Sequence, residues 1–192
     1  MRVIKTHIPD LIIFEPTVFA DERGYFMEFY NQRTFGEAGI GCTFVQDNES
    51  SSGYGVVRGL HYQLEPYTQA KFLRVVHGKI LDVALDIRRG SPTFGQHLAI
   101  ELSSENKRML LIPRGFAHGF SVLSANAVVQ YKCDSLYNRE AERGVKYDDP
   151  SLGIDWQVPT EKRIVSPKDM MHPALAAADI NFDYTRHEQH HG

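Results

Sequence analysis

The segment Leu81-Asp82-Val83-Ala84-Leu85-Asp86-Ile87 decides the fold class, because its apolar and acidic residues alternate. One face of an extended chain would carry Leu81, Val83, Leu85 and Ile87. The other face would carry Asp82 and Asp86. A period of two is typical of a β-strand, whereas a helix repeats every ~3.6 residues. The segment therefore predicts a strand.

The same kind of pattern recurs through the middle of the chain. Breaks rich in Ser, Asn and Gly separate most of the strand-like stretches, which lie near residues 43–48, 56–63, 70–77, 79–87, 97–103, 108–112, 117–123 and 127–134. His77-Gly78-Lys79 predicts a tight hairpin between two of these strands. Many short strands with little helix favour a β-sandwich or barrel.

The two ends of the chain are less regular. Residues 1–50 read as a β segment that includes a short helix, capped by Asn31 and stopped by Gly39. A second short helix is predicted over 173–178, after an extended run that ends near Ser166. The histidine-rich residues 186–192 are expected to be a mobile tail. Without a repeat or a linker, residues 1–192 are expected to form one domain.

Composition limits the possible functions. The 192 residues are 42% apolar and 23% charged with a net charge of −3, which is typical of a soluble globular protein and gives no general affinity for nucleic acid. The apolar runs are too short to span a membrane. Cys42 and Cys133 lack metal-site spacing, and no signal-peptide pattern is visible. We therefore expect reduced thiols and a cytoplasmic location.

Three strand residues are candidates for chemistry. His61 lies in a strand-like run, where a core histidine bonded to the backbone is the commoner explanation. In an extended strand, Lys71 would point to the same face as Leu73, which is expected to face the core. A buried lysine needs a partner or a ligand. Tyr131 would serve as core packing, or as an acid if its hydroxyl reaches a pocket.

A longer motif narrows the fold. Residues 113–118 carry Pro-x-Gly-x-x-His, which resembles the second motif of the cupin superfamily and predicts an all-β jelly roll with a few short helices. No His-x-His precedes His118, and residues 77–95 offer no second histidine after His77. A three-histidine metal site is therefore disfavoured, and we expect neither a metal nor a cofactor.

An ordered set of motifs carries a family resemblance that extends to about Asp169. The motifs are Arg58-Gly59-Leu60-His61-Tyr62-Gln63, Gln69-Ala70-Lys71, Leu81-Asp82-Val83, the run from Asp86 to Gly95, the run from Ile112 to Phe120, Tyr131-Lys132-Cys133 and Asp148-Asp149-Pro150. Together they resemble the dTDP-4-dehydrorhamnose 3,5-epimerase family of metal-independent cupins. The resemblance implies a homodimer that acts on a dTDP-linked 4-keto-6-deoxy sugar in dTDP-L-rhamnose synthesis.

The resemblance also implies residue roles. His61 would be the proton acceptor oriented by Asp169, Tyr131 the proton donor, and Lys71 the neighbour of the substrate C4 oxygen. Tyr137 would stack on the thymine base. The remaining nucleotide-sugar contacts would be Arg23, Glu28, Gln46, Asp47, Asn48, Arg58, His118, Glu142 and Lys168. Arg23 and Glu28 would reach into a neighbouring subunit's site.

Some features depart from a simple match. Arg114 stands where the family commonly has a second proline, and Pro167 where it often has a glutamate. Neither replaces a proposed catalytic group, so we expect the chemistry to be intact; the presentation of Lys168 and Asp169 is where Pro167 would act. Arg58 and His61 are three residues apart, which places them on opposite faces of a regular strand. Gly59 is therefore a candidate for a β-bulge that brings both to one site.

Other functions stay open on sequence grounds. An enzyme that epimerises only C3 or only C5, or that acts on a different nucleotide or a heptose sugar, would use the same base, acid and lysine. A 3,4-ketoisomerase of the same fold would also move protons next to a carbonyl. A non-catalytic cupin that binds sugar nucleotides is less favoured, because binding alone needs no acid and base. A metal-dependent oxygenase lacks its ligand set.

Overall fold

A computed structural model describes residues 1–184, in which strands dominate. The strands are β1 (Arg2–Lys5), β2 (Ile12–Glu15), β3 (Val18–Asp21), β4 (Gly24–Met27), β5 (Gln46–Gly53), β6 (Val56–Gln63), β7 (Lys71–His77), β8 (Lys79–Asp86), β9 (His97–Ser103), β10 (Met109–Ile112), β11 (Phe116–Val122), β12 (Asn126–Cys133), β13 (Glu142–Gly144) and β14 (Ile164–Val165). The α-helices are α1 (Gln32–Glu37) and α2 (Pro167–Met170), and the 3₁₀ turns are Thr160–Lys162 and Leu175–Ala177.

Most of the strands form two sheets packed face to face, and β3 and β4 form a separate two-stranded ribbon. The first sheet has the order β1-β2-β10-β7-β12-β5, and the second has the order β13-β6-β11-β8-β9, with β14 joining β6 in parallel. Apolar residues of both sheets, such as Leu73, Ile80 and Val129, fill the space between them. This double-sheet jelly roll confirms the predicted fold class.

Both faces of strand β8 are buried. Ile80 and Ala84 face the space between the sheets. Leu81, Val83 and Leu85 face the other way and pack under the C-terminal segment, which contributes Trp156 and Phe182. Both faces are therefore covered, so the acidic residues of this strand are buried and need polar partners.

The N-terminal region contains the predicted helix. Asn31 caps α1 by accepting hydrogen bonds from the backbone N–H groups of Arg33 and Thr34. Phe35 then stacks on Phe14 with ring centroids 4.7 Å apart, so α1 covers the outer face of the first sheet. This placement confirms the short helix predicted after Asn31.

Several predicted elements differ from the structure. The hairpin at His77-Gly78-Lys79 is wrong, because β7 and β8 belong to different sheets and Gly78 turns the chain from one to the other. The strand predicted over 43–48 is β5, which begins at Gln46 and is almost wholly polar. Hydrophobic alternation cannot locate a polar edge strand. Strand β13 and helix α2 were not predicted. The short helix predicted over 173–178 is only the 3₁₀ turn Leu175–Ala177, and the tail at 186–192 lies outside the described residues.

Across residues 1–184, no helix is both long and apolar enough to cross a membrane.

Candidate active site

His61 and Asp169 form a hydrogen-bonded pair although 108 positions separate them in the chain. His61 Nε2 lies 2.7 Å from Asp169 Oδ1, and Asp169 Oδ2 accepts a hydrogen bond of 3.1 Å from Gly59 N. Burial raises the pKa of Asp169, but the hydrogen bonds from His61 and Gly59 outweigh it and hold the pKa below its usual value. The carboxylate is therefore ionised and accepts from His61 Nε2.

Helix α2 presents Asp169 to this pair. Ser166 caps α2 by accepting from the backbone N–H of Asp169, and Pro167 occupies the first helical turn, where proline's fixed φ and missing N–H are tolerated. The single turn leaves Asp169 buried and facing β6. Pro167, which departs from the family pattern, is thus compatible with the pairing of Asp169 and His61.

A cavity of about 290 Å³ is lined by residues of both sheets. Its walls include Gln46, Asn48, His61, Lys71, Tyr131, Tyr137 and Glu142. His61 comes from β6 of the second sheet, whereas Lys71 and Tyr131 come from β7 and β12 of the first. The imidazole and the phenol therefore approach a ligand from opposite sheets.

Lys71 and Tyr131 are both affected by burial. Burial lowers the pKa of Lys71, while the negative charges of Asp82 and Glu142 partly offset this effect. Within residues 1–184, Lys71 Nζ makes no hydrogen bond or ion pair, so its amino group is available to a ligand in the cavity. Burial raises the pKa of Tyr131, which keeps its hydroxyl protonated at neutral pH.

The spacing of Arg58 and His61 is accommodated by an irregularity in β6. His61 lies opposite His118 of β11, and Arg58 lies opposite Phe120, so three steps on β6 match two on β11. Gly59 has φ of +119°, and a Cβ there would come within 2.5 Å of the neighbouring Gly119 Cα. The extra residue confirms the predicted bulge, and Arg58 is close enough to lower the pKa of Tyr131.

His118 belongs to a second histidine–aspartate pair. His118 Nε2 lies 2.8 Å from Asp82 Oδ2, and both side chains are buried. Asp82 Oδ1 is also buried and has no hydrogen-bond partner among the described residues. The sequence analysis placed Asp82 on a strand face but missed this role; its signal was an acidic residue inside an otherwise apolar strand.

The rim of the cavity carries some of the other predicted contacts. Glu142 accepts hydrogen bonds from the Tyr137 hydroxyl at 2.8 Å and from Lys168 Nζ. Gln46 and Asn48 line the cavity from β5. Asp47 points to the opposite face of that strand, where it pairs with Lys132 at 2.9 Å, and the structure does not bring its side chain to the cavity.

Arg23 and Glu28 lie away from this cavity. The ribbon of β3 and β4 pairs only with itself, and Arg23 at its turn bonds to Asp21 in an exposed position. Glu28 accepts from Asn31 at the start of α1. The structure of one chain thus does not bring these two predicted contacts to the site.

Proton transfer is the chemistry that these groups can perform together, so the fold and the site define a cupin-type acid–base enzyme. A family model described as dTDP-4-dehydrorhamnose 3,5-epimerase matches residues 5–177. The chain therefore belongs to the dTDP-4-dehydrorhamnose 3,5-epimerase family, whose members are isomerases. This confirms the resemblance noted in the sequence.

Individual relatives agree with the family assignment. The chain is 54% identical over 180 residues to the dTDP-4-dehydrorhamnose 3,5-epimerase of Shigella flexneri, covering 93% of this chain and 98% of that protein. A dTDP-6-deoxy-D-glucose-3,5-epimerase from Legionella pneumophila, solved with dTDP-4-keto-L-rhamnose, has a TM-score of 0.89 at 49% identity and covers 93% and 94% of the two chains. A 3′-monoepimerase from Streptomyces bikiniensis, solved with dTDP-quinovose, has a TM-score of 0.90 at 30% identity and covers 97% and 96%.

Proposed function

We propose that this chain converts dTDP-4-keto-6-deoxy-D-glucose into dTDP-4-keto-L-rhamnose by inverting C3 and C5, as a step of dTDP-L-rhamnose synthesis. The observation that carries the proposal is the placement of His61 and Tyr131 on opposite sheets across one cavity. Inversion of a carbon needs a proton removed from one face and another returned to the opposite face. Family membership supports the substrate class.

The base is His61 Nδ1. Its Nε2 donates to the ionised Asp169, so the lone pair that can accept a proton lies on Nδ1. The substrate's 4-keto group makes the hydrogens on C3 and C5 acidic, because the resulting carbanion is an enolate. Asp169 fixes the tautomer and stabilises the imidazolium that forms.

Tyr131 is the general acid, and Lys71 stabilises the enolate. Tyr131 returns a proton from the opposite face, after which the imidazolium and the phenolate regain their starting states by exchange with solvent. Lys71 places a preorganised positive charge beside the C4 oxygen as negative charge develops there. The position of Lys71 on the cavity wall, without a partner among residues 1–184, supports this role.

The nucleotide lies on the rim. A cavity of about 290 Å³ is near the lower end of the size range for ligand pockets, so it holds the sugar and leaves the nucleotide outside. Tyr137 stacks on the thymine base, a role supported by its exposed ring (54%) at the mouth of the cavity. Arg58 and Lys168 supply positive charge for the pyrophosphate. Gln46, Asn48, His118 and Glu142 complete the contacts from this chain.

The product distinguishes this function from its nearest alternatives. NMR of the sugar ring after incubation with dTDP-4-keto-6-deoxy-D-glucose should show both C3 and C5 inverted. Inversion at one centre alone would favour a monoepimerase. This alternative is considered because a 3′-monoepimerase has a TM-score of 0.90 to this chain. A carbonyl moved from C4 to C3 would instead indicate a 3,4-ketoisomerase, and an unchanged sugar would contradict catalysis.

We also propose that the enzyme is a homodimer in the cytoplasm. The β3–β4 ribbon exposes Phe19 (64%) and Phe26 (71%), which is unusual unless a partner covers them. Docking of the ribbon on a second copy would carry Arg23 and Glu28 to that copy's cavity. The two cysteines are free thiols, which suits a reducing compartment.

A complementation experiment tests the exchanged ribbon. Arg23→Ala and His61→Asn should each be nearly inactive alone, whereas co-expression should restore about a quarter of wild-type activity. Random pairing makes half of the dimers mixed, and each mixed dimer holds one site with both native residues. Co-expression of Lys71→Ala with His61→Asn is the matched control. Each chain supplies both Lys71 and His61 to its own cavity, so every site in a mixed dimer still lacks one of the two residues.

Two results would contradict the exchange of β3–β4 ribbons between subunits. The first is restoration that is equal for the test pair and the control pair. The second is a fully active monomer in light scattering at micromolar protein concentration.

A further inference from the structure

His172 lies beside the His61–Asp169 pair and has no role in the mechanism proposed above. Its Nε2 is buried and has no hydrogen-bond partner among residues 1–184. This nitrogen lies 3.7 Å from Asp169 Oδ1, which is too long for a hydrogen bond. The His172 ring meets the His61 ring edge to face, with centroids 5.7 Å apart. A buried imidazole nitrogen is thus directed at a carboxylate that it does not bond.

The fold makes room for this ring at one glycine. Gly144 lies directly opposite His61 in the pairing of β13 with β6. A Cβ at position 144 would lie 2.4 Å from atoms of the His172 ring. His172 is therefore held against a bare stretch of backbone next to His61, and the second imidazole occupies the space that a side chain would fill.

We propose that His61, Asp169 and His172 bind a divalent transition-metal ion of the zinc type. Their ligand atoms all lie within 4.8 Å of one another. Tetrahedral zinc, with bonds of about 2.0–2.1 Å, separates neighbouring ligand atoms by roughly 3.3 Å. The observed separations from Asp169 Oδ1, 2.7 Å to His61 Nε2 and 3.7 Å to His172 Nε2, lie on either side of that value.

The chemistry of the three groups fits such an ion. Two imidazoles and a carboxylate are a set that zinc, cobalt and nickel accept. Asp169 supplies a negative charge, and its second oxygen is fixed by the backbone N–H of Gly59, the kind of outer contact that orients metal ligands. This set is separate from the cupin motif that contains His118. Its ligands come instead from β6 (His61), from α2 (Asp169) and from the turn that follows α2 (His172).

Occupancy of this site inhibits the enzyme, a consequence that rests on the proposed function. The ion takes the place of the proton between His61 and Asp169, and the imidazole then carries its proton on Nδ1. Nδ1 is the nitrogen that must accept the substrate's proton. A metal-loaded chain therefore has no free base, whereas binding of the ion itself does not depend on any catalytic activity.

Metal titrations of the folded protein test the site. The background is the His187→Ala/His190→Ala/His191→Ala variant, which removes the tail histidines as competing ligands. Calorimetry with Zn²⁺ should detect one ion per chain, and Co²⁺ should give visible absorption bands of a low-coordinate centre. His172→Ala should weaken Zn²⁺ binding more than about tenfold. His172→Cys should retain tighter binding than His172→Ala, because a thiolate is itself a zinc ligand.

A matched control uses another histidine of the same sheet. His97→Ala, on the edge strand β9, should bind Zn²⁺ as the background protein does. Equal Zn²⁺ affinity in the background and His172→Ala, or no Zn²⁺ binding to the background at all, would overturn the site. Binding that depends on His172 but leaves turnover unchanged would overturn the inhibition, and it would place the base elsewhere.

Discussion

His61→Asn is expected to lower kcat by about 10²–10⁴-fold, the contribution of one general base, without disturbing the fold. Asparagine can still donate a hydrogen bond to Asp169, which now receives one of 2.7 Å from His61 Nε2. It has no basic nitrogen to take the place of Nδ1. The proton on C3 or C5 then has no acceptor on that face of the sugar, so both exchange and inversion stop.

Steady-state kinetics and thermal unfolding together check this expectation. His97→Asn is the matched control, because His97 is a half-buried histidine of the same sheet that lies outside the cavity. The control should keep wild-type kcat, and His61→Asn should unfold within a few degrees of the wild type. A folded His61→Asn protein with wild-type turnover would show that His61 is not the base.

Tyr131→Phe is expected to abolish inversion while hydrogen exchange continues. The phenol comes from the first sheet and the imidazole from the second, so its loss removes only the returning proton on one face. His61 can still form the enolate and return a solvent-derived proton to the face from which it took one. We expect epimerisation to fall about 10²–10⁴-fold and wash-in of deuterium to persist in unreacted substrate.

Mass spectrometry and NMR of substrate recovered from D₂O separate the two activities. Tyr62→Phe is the matched control, because Tyr62 is adjacent to His61 but its hydroxyl donates to the backbone oxygen of Asp179 at 2.7 Å. That variant should invert the sugar as the wild type does. Normal inversion by Tyr131→Phe would assign the acid to another group, and loss of exchange as well as inversion would mean that Tyr131 acts before the enolate forms.

The middle of the fold was predictable because its strands have apolar faces. In strand β8, Leu81, Val83 and Leu85 share the face that packs under the C-terminal segment, which gives the period of two. Strand β5 was misplaced because it is polar and lies at the edge of its sheet. The connection at Gly78 resembled a hairpin because local sequence does not reveal that β7 and β8 enter different sheets.

The site was predictable only in part. Among the strand residues only Lys71 stood out on its own, and the roles of His61 and Tyr131 came from the family resemblance; the structure places all three on one cavity. The pairing of Asp169 with His61 came from the family resemblance, since no local pattern connects β6 to a helix of one turn. The neighbours Asp82 and His172 were missed because their importance depends on which strands become adjacent.

The most direct test of the account is deuterium incorporation by the wild-type enzyme in D₂O. After incubation with dTDP-4-keto-6-deoxy-D-glucose, we predict solvent-derived deuterium at both C3 and C5 of an inverted sugar. The incorporation should be lost in His61→Asn. Inverted product without solvent deuterium at either carbon, or folded enzyme that exchanges neither position, would contradict enolate formation between His61 and Tyr131.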